Sequence, residues 1–272
     1  MADIFAIEVC AYAIMHNHHH EVLHVDVELA QSWTWQEVIE RWHSLYRGKP
    51  VSQRFLQGMP MGEAETEQVK KLAELWRERL TSISWFMRAL NEPIARAANS
   101  EDDCTGKFFE ARFKSQALLD EQALLACMAY VDLNPIRADI AETPEESDFT
   151  SIKQRIGAAG KGAIPKHLAR FEGHATKCPK PHLIPFSLKD YIELVEWTGR
   201  SISLNKHGRI AQEIPPAFQR IKISPEEWTD LALNFEKHFT LWVGSDEHLQ
   251  QVCGRIGMRH VHGSVHCRKV FV

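Results

Sequence analysis

Apolar and polar positions alternate loosely over residues 10–28, with β-branched residues among them, which predicts strands over about 10–15 and 19–26. The preceding "ADIFAIEVC" reads as the tail of a helix running into the first strand. "SWTWQEVIERWHSLY" predicts a helix with Ser32 as its N-cap and Trp35, Val38, Ile39, Trp42 and Leu45 on its buried face. "RGKPVSQRFLQGMPMG" reads as a loop. The strongest helical period runs over 65–98, where Val69, Leu72, Leu75, Trp76, Leu80, Ile83, Phe86, Met87, Leu90 and Ile94 form one apolar stripe. Pro93 is expected to kink or split it. "KFFEARFKSQALL" alternates aromatic and basic residues as strand and strand–loop, and "DEQALLACMAYVDLN" is a helix capped by Asp120 and stopped by Pro135.

The texture changes near residue 145. "AETPEESDF" is acidic, "GAAGKGAIPKH" is loop-like, and "KCPKPHLIP" carries three prolines. Helical patches follow at 188–198 and 224–241. From 253 the tail carries Arg255, Arg259, Arg268 and Lys269 with no acid. This organisation predicts a module over 1–145 and a mainly helical accessory region with a basic tail over 146–272.

Composition adds limits. With 272 residues, 44% hydrophobic and 25% charged, the chain can bury a core without disulfides or structural metals. Its six cysteines are scattered without a Cys-x-x-Cys pair, as in reduced thiols of a cytoplasmic protein. No stretch approaches the roughly 20 apolar residues of a membrane helix, and the N-terminus lacks a signal-peptide pattern. The expectation is a cytoplasmic protein with no membrane partner. A net charge of −4 means that any nucleic acid must be held by a local basic face.

Five of the 15 histidines, His16, His18, His19, His20 and His24, fall within nine positions. On a strand, His18 and His20 share a face, with His16 and His24 in line. Two neutral imidazoles spaced i, i+2 can grip one divalent cation, although exposed or core-satisfied histidines would show the same letters. A third ligand must come from elsewhere. "MAYVDLNP" offers Tyr130 and Asn134 at i, i+4 before a proline stop, with small Ala126 and Ala129 leaving the hydroxyl accessible. A partly buried tyrosine with a satisfied hydroxyl is the alternative. Lys107, Arg112, Lys114 and Arg137, interleaved with Phe108, Phe109 and Phe113, form a local basic set suited to an unpaired strand, with Phe113 expected in the core.

The stretch Tyr12–His20, "YAIMHNHHH", resembles the hydrophobic–Met–Pro–Asn–His–hydrophobic–His signature of the HUH superfamily of single-tyrosine transposases. "YVDLNP", Tyr130 to Pro135, resembles that family's second signature. The joining stretch "GKFFEARFKSQALLDEQALLACMAYVDLNPIRA" is similar to the REP-associated and insertion sequence 200-like branch. The likeness covers roughly 5–141. It implies an α+β, ferredoxin-like antiparallel sheet with helices, acting on single-stranded, hairpin-forming DNA as a monomer or homodimer. It further implies Tyr130 as nucleophile; His18, His20 and Asn134 as ligands of Mg²⁺ or Mn²⁺; and Asn17, Lys107, Arg112, Lys114 and Arg137 as DNA contacts. The expected activity is strand nicking and rejoining through a 5′-phosphotyrosine.

Two departures carry consequences. His19 and Glu21 stand where relatives place apolar residues, and are costly on a core-facing side unless paired. Met1 falls where the family has the end of its first helix, so the expectation is a domain without its first strand, whose neighbours lack a partner. The rival readings are a decayed or domesticated single-stranded DNA-binding protein, and a metal-dependent hydrolase on a β/α barrel. The barrel needs a repeated strand–helix rhythm that is absent.

Overall fold

The computed structural model describes residues 1–172, 183–206, 214–258 and 264–271. The fold is mixed α and β, with small sheets and mostly helices. Two compact units form, one from Met1–Glu8 and Leu23–Phe113, the other from Val9–Val22 and Lys114–Val272. The change of texture near 145 therefore falls inside the second unit.

The chain opens in turns, not in a helix, and enters β1 (Ile7–Ile14) and β2 (His19–Val25), a two-stranded hairpin. In the first unit, α1 (Val27–Ser32) is capped by Asp26, whose side chain accepts from the Leu29 N–H. Ser32 ends this helix and caps nothing beyond it. The cap of α2 (Trp35–His43) is Thr34, in a reciprocal capping box with Glu37. Val38, Ile39 and Trp42 are buried as expected, whereas Trp35 and Leu45 are only half-buried. The expected loop holds α3 (Pro50–Leu56), with Pro50 in its first turn, where a missing N–H costs nothing.

The long apolar stripe is two helices, α4 (Glu63–Leu80) and α5 (Ile83–Glu101). They part at Thr81 and Ser82, the latter in extended geometry (φ −94°, ψ 120°). Pro93 lies inside α5, which continues through it. Val69, Trp76, Leu80, Phe86 and Met87 are buried, and the Trp76 ring stacks on Trp42 with centroids 5.2 Å apart. The buried Arg77 guanidinium donates to the carbonyls of Ala30 and Trp33 at the end of α1 and pairs with Glu74. It thus satisfies carbonyls that a helix end leaves open.

In the second unit the expected strand over "KFFEARFKSQALL" shrinks to β3 (Ala117–Leu118). Then come α6 (Glu121–Asp132), capped by Asp120; the single turn α7 (Asn134–Arg137); and α8 (Ser151–Ala159). Beyond these lie β4 (Phe171–Glu172), β5 (Ile184–Ser187), α9 (Leu188–Lys206), α10 (Ala217–Ile221) and α11 (Pro225–His238). The unit ends in β6 (Trp242–Val243), α12 (Asp246–Ile256) and α13 (Ser264–Val270). β3 pairs with β6 and β4 with β5, both in parallel. Both helical patches foreseen after 145 are present as α9 and α11. Of the basic tail, Arg268 pairs with Asp246 at 2.8 Å; Arg259 lies outside the described residues, as does Cys178. The five described cysteines are free thiols.

One carboxylate organises this unit. Asp132, fully buried at the end of α6, accepts from the Ser151 hydroxyl, from the Ile152 N–H at 2.9 Å and from the Tyr191 hydroxyl at 2.6 Å. Burial pushes its carboxyl up to about 6, against the pull of these hydrogen bonds. Ser151 Oγ in turn accepts from the Tyr12 N–H at 3.0 Å, which fastens β1 to α8. Arg155 donates to the Cys10 carbonyl at 2.8 Å and to that of Ala169. Asp132→Ala strands three buried donors. It should lower the unfolding free energy by about 3 kcal/mol or more, with Asp132→Asn milder. Chemical denaturation of both variants checks this, and a loss under about 1 kcal/mol for the alanine would contradict it.

Candidate functional site

Short turn chemistry sets the histidine pair. His18 lies at the hairpin tip, where its carbonyl accepts from the Met15 N–H at 2.8 Å, and His20 is the second residue of β2. Their rings meet edge to face with centroids 5.0 Å apart. His19 and Glu21 pair with each other, which supplies the partner that the sequence demanded. His16 is exposed in the tip, and His24 lies 3.9 Å from the Glu8 carboxylate. The four histidines in line therefore reduce to one adjacent pair.

The same unit brings Tyr130, near the end of α6, beside this pair. The His20 and Tyr130 rings lie edge to face with centroids 6.2 Å apart. Phe235 of α11 covers the phenol at 5.8 Å, and the Arg137 guanidinium lies over its ring at 3.6 Å. Tyr130 is 7% exposed, so most of its side chain is buried. Burial raises its pKa above the ordinary phenol value, while the charge and hydrogen bond of Arg137 hold it down in part.

Asn134 opens α7, and its Oδ1 accepts from Arg137 Nη2 at 2.8 Å. Its Nδ2 and Arg137 Nε are buried without hydrogen-bond partners. Arg137 Nη1 also donates to the Leu233 carbonyl at 3.3 Å. Asn134 follows Tyr130 by four residues but across the break between α6 and α7 at Leu133, and its oxygen is engaged by a guanidinium. Arg137, expected as a DNA contact, is built into the site.

One feature of the two imidazoles bears on metal binding. Each imidazole turns Nδ1 toward an oxygen: His18 toward Asn17 Oδ1 at 2.7 Å, and His20 toward Glu236 Oε1 at 3.4 Å. For His18, an Nδ1–H directed at Asn17 leaves the lone pair on Nε2, the arrangement typical of metal-binding histidine, while His20 Nδ1 meets Glu236 only at ion-pair distance. Asn17 therefore acts on His18. Burial lowers the His20 pKa, with Glu236 opposing and His18 and Arg137 adding to the fall, which favours the neutral ring. Glu236 on α11 was not foreseen: no spacing links an acid in the last turns of a distant helix to a hairpin near the N-terminus.

Lys107 and Arg112 are exposed in the first unit, and Lys114 is exposed in the second. Phe108 and Phe113 are 47% and 40% exposed, so Phe113 is not a core residue. Removing the guanidinium in Arg137→Ala should raise the Tyr130 pKa further, because Arg137 is what opposes its burial. A ¹³C-tyrosine NMR titration reads this, and an unchanged or lower value would contradict it. No protein-family model matches this chain, and no curated protein or solved structure matches it.

Proposed function

We propose that the protein is a single-stranded DNA transesterase of the HUH type, with Tyr130 as nucleophile and His18 and His20 as the metal-holding pair. The observation that carries this reading is the adjacency of the Nδ1-anchored imidazoles and the Tyr130 ring. The finer fold expectation goes with it: the β1–β2 hairpin would be two strands of a ferredoxin-like sheet.

In this reading Tyr130 Oη attacks the scissile phosphorus in line with the departing 3′ oxygen. A 5′-phosphotyrosine forms, and the 3′ oxygen leaves as a hydroxyl, taking up the proton that the phenol gives up. The phosphodiester energy is retained for rejoining. A phenol of pKa about 10 needs its charge stabilised to act at neutral pH, and Arg137 over the ring provides a fixed positive charge. As the strand enters, Arg137 exchanges Asn134 for a phosphate oxygen, which a guanidinium binds as a fork, and keeps its charge beside the phenol. When bound between His18 and His20, Mg²⁺ or Mn²⁺ would act as a Lewis acid on a non-bridging phosphate oxygen. Asn134 would become available as a further oxygen ligand once Arg137 leaves it. Asn17 and Glu236 hold the two rings. Exposed Lys107, Arg112 and Lys114 suit a DNA backbone, with Phe108 and Phe113 as stacking faces. No helix among the described residues is long and apolar enough to cross a membrane.

Incubation with hairpin-bearing single strands and Mn²⁺ should give a covalent protein–DNA adduct on a denaturing gel, lost in Tyr130→Phe and without divalent metal. Strand binding with no adduct would favour a strand-holding protein instead. Glu236→Gln should require roughly tenfold or more Mn²⁺ for the same adduct yield, because the His20 ring loses its orienting carboxylate. An unchanged metal requirement would remove Glu236 from the site.

A further inference from the structure

A second cluster, sharing no residue with the histidine–tyrosine site, has the composition of a transition-metal centre. Asp230 and His238 lie on α11 and His266 on α13; each offers one ligand atom, and these atoms all lie within 4.8 Å of one another. In an unbroken α-helix, residues eight apart are separated by about 12 Å along the axis. Asn234, midway between Asp230 and His238, leaves helical geometry (φ −129°, ψ 18°) and kinks α11. Asp230 Oδ2 thereby comes to 2.7 Å from His238 Nε2. The other oxygen of Asp230 accepts from Asn234 Nδ2 at 2.8 Å, and Asn234 Oδ1 accepts from Lys237 at 2.9 Å. The carboxylate is thus oriented by the residue that makes the kink, as ligating carboxylates are held by an outer ring of hydrogen bonds.

The two imidazoles stack, with centroids 3.9 Å apart and planes within 10°. Phe239, 1% exposed, sets its ring against both, at 6.1 Å from His238 and 5.4 Å from His266, and forms an apolar floor. His266 Nε2 is buried with no hydrogen-bond partner, and His238 Nε2 meets Asp230 at ion-pair distance without normal hydrogen-bond geometry. An Asp–His ion pair alone accounts for His238 and leaves the His266 nitrogen unexplained. A buried nitrogen with no partner costs free energy that a cation in reach of both rings would offset.

We propose that Asp230, His238 and His266 bind one first-row divalent transition ion, Zn²⁺ matching best, with water as the fourth ligand. Two imidazoles and a carboxylate are the ligand types that zinc takes, and imidazole favours such ions over Mg²⁺. Because the ligands come from two helices, the ion fastens α13 to α11.

The full chain carrying His18→Ala and His20→Ala, which removes the other imidazole pair, is titrated with Co²⁺ while visible absorption is recorded. One equivalent should bind and be displaced by Zn²⁺, with affinity falling about tenfold or more in His238→Gln and His266→Gln. Zn²⁺ should raise the Tm of the parent chain and leave that of His266→Gln unmoved. If the double-alanine background does not fold, the same titration of the wild-type chain should lose one equivalent on introducing His266→Gln. No cobalt spectrum, or glutamine variants within about twofold of their parent, would overturn the site whatever becomes of the Tyr130 reading.

Discussion

Asp132 is the constraint on which the second unit depends. A fully buried carboxylate is tolerable only when donors surround it. Here the donors come from α8 and α9, so satisfying one charge fixes how α6 packs. The link continues outward, since Ser151 takes the Tyr12 N–H of β1 while Arg155 takes the Cys10 carbonyl. The helix that carries Tyr130 and the strand that leads to His18 and His20 are therefore tied by a chain of two hydrogen bonds through Asp132 and Ser151. This polar link joins the two elements at Asp132, two residues from the phenol.

Around the phenol, burial and charge oppose each other. Phe235 and the packing of α6 remove water and make the phenolate costly, while Arg137 supplies the compensating charge from one turn beyond Asn134. That arginine has buried groups on both sides that are incompletely bonded: its own Nε and the Asn134 amide. A polar cluster left partly unsatisfied is a place where a ligand gains by binding. The same helix, α11, supplies Phe235 and Glu236 here and Asp230 and His238 at the second cluster. The kink at Asn234 lets one short helix serve both.

Local signals were legible where chemistry acts within a turn. Asp120 caps α6 because a side-chain oxygen can reach an N–H three residues on, and that pattern is visible in the letters. The same rule made Ser32 a plausible cap, but Thr34 with Glu37 offers a reciprocal pair, and the box won. Pro50 and Pro93 show the limit of proline as a stop: one starts a helix, and the other sits within a helix whose break comes twelve and eleven residues earlier, at Thr81 and Ser82. The aromatic–basic stretch 107–114 had strand-like alternation but formed no strand, because a strand needs a partner and none is supplied there.

The sequence by itself determined the helical periodicity, the two strands around the histidines, and the four-residue spacing of Tyr130 and Asn134, because each is a relation between neighbours. Only the tertiary structure decided that Arg137 lies on Tyr130, that Glu236 faces His20, that Asp132 rather than an apolar residue anchors α6, and that Asp230 and His238 meet His266. Those pairs are distant in sequence or joined across a break or kink between helical segments. Their contacts follow from how whole helices pack to satisfy buried polar groups, a condition no stretch of sequence expresses alone.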